Sequence, residues 1–158
     1  IEPPRGTMRE YFLDWLNRDG HPFWPFWENI RSWWEIRALP NLLLLHFEDL
    51  KADLPGEARR IATFLGVDVA EDCWPAILEH SSFAWMKAHA AQAAPLGGVF
   101  WDGGPEVFIN KGTNGRWRDT LTAGDCAAYE MAARRELGEE CAAWLAQGSK
   151  GLDGRAAA

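Results

Sequence analysis

The ten residues from Phe108 to Trp117 read Phe-Ile-Asn-Lys-Gly-Thr-Asn-Gly-Arg-Trp and hold the residue types best suited to chemistry. Lys111 and Arg116 are interleaved with Gly112 and Gly115, and Arg118 follows. The chain carries a formal net charge of -7, so this is a basic island on an acidic polypeptide. Glycines let backbone N–H groups approach a ligand closely, and Lys and Arg add charge. The stretch therefore suits a phosphate or sulfate cradle. The competing reading is a solvated basic turn, because short Gly/Lys patterns often arise by chance.

Other chemically capable residues form weaker patterns. His21, His46, His80 and His89 are separated by 25, 34 and 9 residues, which fits no common metal-ligand spacing. No metal site is expected, and His46 reads as a structural or surface histidine, with no partner acid or nucleophile evident. Glu48 and Asp49 could be paired carboxylates for acid–base work. Phe23, Trp24, Phe26 and Trp27 are dense enough to line an apolar pocket, and equally suited to core packing.

These residues need elements to position them. Thr7-Met-Arg-Glu10 has the form of a capping box, and Met8, Tyr11, Phe12, Trp15 and Leu16 continue as an apolar helical stripe. Asp19-Gly20 and Pro22 end it. A second helix begins near Trp24 or Pro25, with Trp27, Ile30 and Trp34 on one face, and Pro40 closes that segment. Leu42 to Leu45 is a continuous apolar run. It reads as a strand, about 41–46, buried on both faces of a parallel sheet, or as the inner turn of a helix. Asp53-Leu-Pro-Gly starts a helix that Gly66 stops. Further helices are expected over Ala70 to His80, after Ser81-Ser82, over Thr122 to Leu137 and over Glu139 to Gln147. Residues 90–107 read as a loop, and 148–158 as a disordered tail.

The 158 residues suffice for one domain, placed at 1–147. Ten Trp supply large buried area, so most are expected in the core. No long uncharged apolar run and no leader-like segment are present, so neither a membrane span nor a signal peptide is expected. Cys73, Cys126 and Cys141 form no C-x-x-C pair and are odd in number. That argues against a disulfide framework and for a reducing, cytoplasmic compartment. Net acidity argues against general nucleic-acid binding. The helix-rich inventory holds one strand, and a buried strand needs hydrogen-bonded neighbours. With Ile1 as its first residue, the chain is expected to be the C-terminal part of a longer α/β protein.

Four segments in order extend this reading: Trp33-Trp34-Glu35; Leu44-Leu-His-Phe-Glu-Asp-Leu-Lys51; Ser81-Ser-Phe-Ala-Trp-Met-Lys87; and Phe108 to Trp117 with Leu121-Thr122 after it. Across roughly residues 3–135 the chain resembles the C-terminal half of the cytosolic-type sulfotransferases. In that family a strand ends in Tyr-Glu-Asp-Met-Lys, a Thr-Ser-Phe-x-x-Met-Lys follows a helix, and an Arg-Lys-Gly-x-x-Gly-Asp-Trp stretch closes the nucleotide site. The resemblance implies part of a P-loop-type three-layer α/β domain. It also implies transfer of a sulfuryl group from 3′-phosphoadenosine 5′-phosphosulfate (PAPS) to a small-molecule hydroxyl or amine, leaving 3′-phosphoadenosine 5′-phosphate (PAP). By the same resemblance, Phe47 stands where a Tyr contacts the adenine region, and Glu48-Asp49 match a pair that fixes the turn after the strand. Ser81 matches a Thr whose hydroxyl contacts the nucleotide, and Phe83 matches an aromatic that stacks on adenine. Asn110, Lys111 and Gly112 match the Arg-Lys-Gly that holds the 3′-phosphate.

Departures from the pattern are specific. Asn110 replaces the Arg, Phe47 replaces the Tyr, and Arg116 replaces an Asp. The family's 5′-phosphosulfate loop and its catalytic Lys and His belong to the upstream half, so no catalytic residue is assigned here. The expected role is the adenine and 3′-phosphate side of the donor site, with an upstream half as partner. The alternative is a non-catalytic remnant that binds a nucleotide or a protein. The family's dimerisation segment is incomplete: Arg118, Thr122 and Ala123 match its start, but Ala127 replaces its final Glu.

Overall fold

A computed structural model describes residues 6–21 and 25–153. The chain divides into two compact units, Ile1–Ala52 with Arg116–Ala158, and Asp53–Gly115. The described residues are built from helices and connecting turns, with no strand among them.

In the first unit, α1 (Met8–Asn17) starts at the expected capping box. The Glu10 N–H donates to Thr7 Oγ1 at 3.2 Å, and the Thr7 N–H donates to Glu10 Oε2 at 2.7 Å. Helix α2 (Phe26–Glu35) buries Trp27 and Trp34. Asp19 fixes its start, accepting from the Phe26 and Trp27 N–H groups at 3.0 Å each. Of the dense aromatic group, Phe23 and Trp24 lie outside the described residues. Phe26 and Trp27 belong to the core, with ring centroids 4.9 Å apart.

The long helix α9 (Ala123–Gln147) repeats the N-terminal device: Thr122 caps it, and the Thr122 N–H donates back to Asp125 Oδ2 at 2.8 Å. Its path breaks at Gly138, whose φ of 74° and ψ of 169° are non-helical. Nothing stands within 4 Å of a Cβ placed there, so backbone conformation rather than space selects glycine. The break leaves helical carbonyls unsatisfied, and Arg31 from α2 donates to the Glu136 carbonyl at 3.0 Å. Ala132 and Ala133 before the break and Ala142 after it pack on Trp27, with Leu16, Tyr129, Leu137 and Leu145 around them. Burial pushes the Tyr129 hydroxyl's pKa up.

The strand expected over 41–46 is not formed. Residues 42–46 run as a non-helical connector between a turn at 36–41 and α3 (Phe47–Ala52), so the helical alternative fails too. A ladder needs two extended segments side by side, and no second one exists among the described residues. Leu42, Leu43 and Leu44 are half-buried, and Leu45 is exposed. Of the expected tail, residues 148–153 are ordered, and 154–158 lie outside the described residues. Lys150–Asp153 form α10, and Ser149 donates its N–H and Oγ–H to the Asp49 carboxylate at 3.0 and 2.9 Å.

The second unit opens with α4 (Leu54–Leu65), capped by Asp53 and closed by Gly66 in the left-handed conformation. A 3₁₀ turn at Glu71–Cys73 leads into α5 (Trp74–His80), which buries Trp74. Arg59 from α4 stacks its guanidinium 4.5 Å from the Trp74 ring and forks onto Glu71 at 2.7 and 2.8 Å. Then follow α6 (Phe83–Ala88), α7 (Ala90–Ala93) and α8 (Pro105–Phe108). The stretch expected to be loop is therefore partly helical, with Ala90, Ala94 and Ile109 buried beneath it. Of the tryptophans, Trp27, Trp34 and Trp74 are buried, whereas Trp33 and Trp117 are about half exposed.

One ion pair holds α1 to α9. The half-exposed Arg9 donates from Nε and Nη2 to the buried Asp125 carboxylate at 2.6 and 2.8 Å. These bonds, with those from Thr122, hold the Asp125 carboxyl well below the usual carboxylate range. A depressed pKa contributes stability above the unfolded value, about 3.9, which is lost as pH falls toward the folded one. Asp125→Asn is therefore expected to lower the melting temperature at neutral pH. The gap to the parent protein should close on acidification below about pH 4. A gap that persists unchanged into acid in thermal melts would mean that packing, not charge, carries the contact.

Candidate functional site

The second unit draws together two of the segments singled out by sequence. Ser81 ends α5, and Ser82 caps α6 by accepting from the Trp85 N–H at 3.1 Å. Ser82 starts the helix, so Phe83 sits in the first turn of α6, and the residue is 37% exposed. Ser81 is exposed at the same corner.

The loop Asn110–Gly115 meets this corner through Gly112. A Cβ at Gly112 would lie 2.5 Å from Cδ2 of Phe83 and 2.6 Å from Cε2, and the residue's φ is +60°. Both space and conformation thus require glycine here, and the backbone of the loop lies against the aromatic ring. Asn110 and Lys111 are exposed. Neither the Lys111 ammonium nor its backbone N–H has a partner among the described residues. An aromatic face with a cation and an amide that have no partner among the described residues are the components of an anion site beside a flat ring.

Lys87, to which sequence reasoning assigned no role, binds the two segments. Its Nζ donates to the Asn110 carbonyl at 2.8 Å and stands 5.7 Å from the centroid of the Phe83 ring. Lys87 closes the Ser81–Lys87 segment, but nothing in the spacing indicates that its target lies 23 residues away. Next to it, Trp85 lies between two imidazoles, with centroids 4.5 Å from His80 and 4.2 Å from His89.

Phe47 and Arg116 belong to the first unit. Phe47 opens α3, is 54% exposed and has the Lys51 ammonium 5.8 Å from its ring centroid. Beside it, His46 is fully engaged. Its Nε2 lies 3.1 Å from the Leu145 carbonyl, and Nδ1 accepts from the Glu48 N–H at 3.2 Å. That pairing sets the tautomer as Nε2–H and leaves no ring nitrogen for proton transfer. Asp49, expected to fix a turn after a strand, instead anchors Ser149. Among the described residues no group of three or more His, Cys, Asp or Glu could hold a metal ion. No helix there is long and apolar enough to cross a membrane.

Comparison with known proteins gives the family of the chain. Residues 2–140 match the sulfotransferase domain family. Human sulfotransferase 1C2 is 29% identical over 137 residues, spanning 85% of this chain and 46% of that protein. Mouse sulfotransferase 1 family member D1 is 32% identical over 131 residues, spanning 82% of this chain and 44% of that protein. The crystal structure of mouse sulfotransferase SULT7A1 complexed with PAP matches with a TM-score of 0.72 at 20% identity. That match covers 98% of this chain and 54% of the other. The chain belongs to the sulfotransferase domain family, and it spans about half the length of the curated relatives it matches.

The Gly112–Phe83 contact generates a direct test. Gly112→Ala must displace the ring or the loop and also hold a left-handed residue, and is expected to cost about 1–3 kcal/mol. Phe83→Ala in the same chain should recover part of that cost, as denaturant melts of the double-mutant cycle would show. If Gly112→Ala costs the same with and without the ring, the ring is not what confines the loop.

Proposed function

We propose that this chain forms the adenine and 3′-phosphate side of a PAPS site. It would serve sulfuryl transfer to a hydroxyl or amine of a small molecule. The observation that carries the reading is Gly112 laid against Phe83 beside the unpaired Lys111, a cradle that a single Cβ would fill. Phe83 offers the purine a flat face, and Ser81 a hydroxyl at its edge. Lys111 and the amides of the loop offer a charge and donors for a phosphate. Phe47 would add a second aromatic contact, by family resemblance alone.

In the proposed transfer the acceptor oxygen bonds to sulfur as the bridging S–O bond to the 5′-phosphate breaks. The acceptor's proton passes to a base, and PAP leaves. Nothing in these 158 residues supplies a Gly-rich Lys-Ser-Gly-Thr-type loop, and the residues proposed here bind and orient. A non-catalytic remnant that binds a nucleotide or a protein is the second reading; Asn110 and Phe47, which lack the polar groups of the family's Arg and Tyr, favour it.

Calorimetry with PAP and with adenosine 5′-phosphate tests the site. A hydrogen bond to a charged group contributes on the order of 1.5–3 kcal/mol, so Lys111→Ala should weaken PAP roughly tenfold to a hundredfold. Adenosine 5′-phosphate, which lacks the 3′-phosphate, should be nearly indifferent. Equal losses for both nucleotides would mean that the loop supports the fold and does not read the phosphate. Activity separates the two readings further. The 158-residue chain alone, given PAPS and a panel of phenols, is expected to release no PAP above background. Sustained turnover would place the base and the 5′-phosphosulfate donors within these residues.

A further inference from the structure

We infer that Lys87 is a positioning residue for the proposed nucleotide site, acting through the peptide between Asn110 and Lys111. The inference rests on the nucleotide reading given above.

Lys87 and Phe83 lie four residues apart on α6, so both side chains leave the same face of the helix. The Lys87 ammonium donates to the Asn110 carbonyl at 2.8 Å. That carbonyl shares a trans peptide with the Lys111 N–H, and in a trans peptide the C=O and N–H point in opposite directions. Drawing the carbonyl to α6 therefore turns the Lys111 N–H the other way, where it has no partner among the described residues. One residue further on, Gly112 rests on the Phe83 ring. The loop is thus pinned at two successive places by one helix turn, by a hydrogen bond at Asn110 and by ring contact at Gly112.

The chemistry follows from the pinning. A free amide held in one direction is a donor for an anion at no reorganisation cost, whereas a rotating peptide must be ordered when the ligand binds. The charge on Lys87 also withdraws electron density from the carbonyl it holds, which polarises the amide on the other side of the same peptide. Lys111 supplies the charge, and Lys87 fixes the donor beside it. No contact between Lys87 and the nucleotide is required.

The test compares Lys87→Met, Lys87→Gln and Lys87→Arg in the full 158-residue chain. In the unliganded protein, backbone order parameters of Lys111 and Gly112 should fall from the rigid range near about 0.85 to below about 0.6 in the Met variant. Arg, which can still donate to the carbonyl, should restore most of the order. PAP affinity should fall about tenfold in the Met variant, with adenosine 5′-phosphate changed less than about twofold. Melting temperatures should stay within about 2 °C of the parent. Unchanged order in the unliganded Met variant would overturn the inference even if PAP binding fell, because the lysine would then act on the ligand directly. A large loss of melting temperature in both Met and Gln variants would overturn it as well, by making Lys87 a residue of the fold. If the parent protein binds PAP and adenosine 5′-phosphate equally, the nucleotide reading fails by itself. The order parameters still decide whether Lys87 pins the loop.

Discussion

A carboxylate that is only 6% exposed survives in the first unit because donors converge on it. Arg9 gives two, and the Thr122 N–H a third. Without them a buried charge would be too costly to keep. The consequence is structural. Helix α1 buries none of its residues fully, so apolar burial alone does not seat it. What fixes its angle is a fork across 116 residues of sequence onto the first turn of α9. The Asp125 carboxylate caps one helix and docks another with the same two oxygens. The aromatic path from Phe12 through Trp15 and Phe26 to Trp27 and Tyr129 then packs in the space so defined.

The second unit uses the same economy on a smaller scale. Helix α6 also buries none of its residues fully. Its basic side chain, Lys87, reaches across 23 residues to a backbone carbonyl rather than to an acid. A carbonyl target leaves the lysine's charge without an acid partner among the described residues. An acid in the place of the Asn110 carbonyl would have cancelled that charge and, with it, any attraction for a phosphate.

What could be read from the sequence was local. The capping box at Thr7, the helix start at Thr122, the Asp53 cap and the Gly66 stop each act over about one helical turn, so their residues alone signal them. The interruption between Leu137 and Glu139 was legible because glycine alone takes the φ that the break requires. Leu42–Leu45 misled because strand identity is not a property of the segment. Four leucines have the composition of a buried strand, but a ladder is made by a neighbour, and no neighbouring strand is among the described residues. The short helices between 90 and 108 were hidden by the glycines and prolines that punctuate them. Ala90 and Ile109 are buried by tertiary packing, which no local pattern reports.

The same distinction governs the candidate site. Phe83, Lys111 and Gly112 could be proposed from the sequence because family motifs name side-chain types. The contact between two of them, glycine backbone on aromatic ring, is visible only in three dimensions. Position 110 is the instructive case. Judged by its side chain, Asn in place of Arg is a loss, since a bidentate charged fork disappears. Judged by its backbone, the position is intact, because its carbonyl is the atom that Lys87 holds. Any residue at 110 could present that carbonyl. The substitution therefore removes charge from the loop without removing its anchor, and it concentrates on Lys111 whatever phosphate recognition the loop performs. A site of this kind tolerates change at the residue that contributes charge more readily than at the glycine that contributes shape, where even one methyl group meets the Phe83 ring.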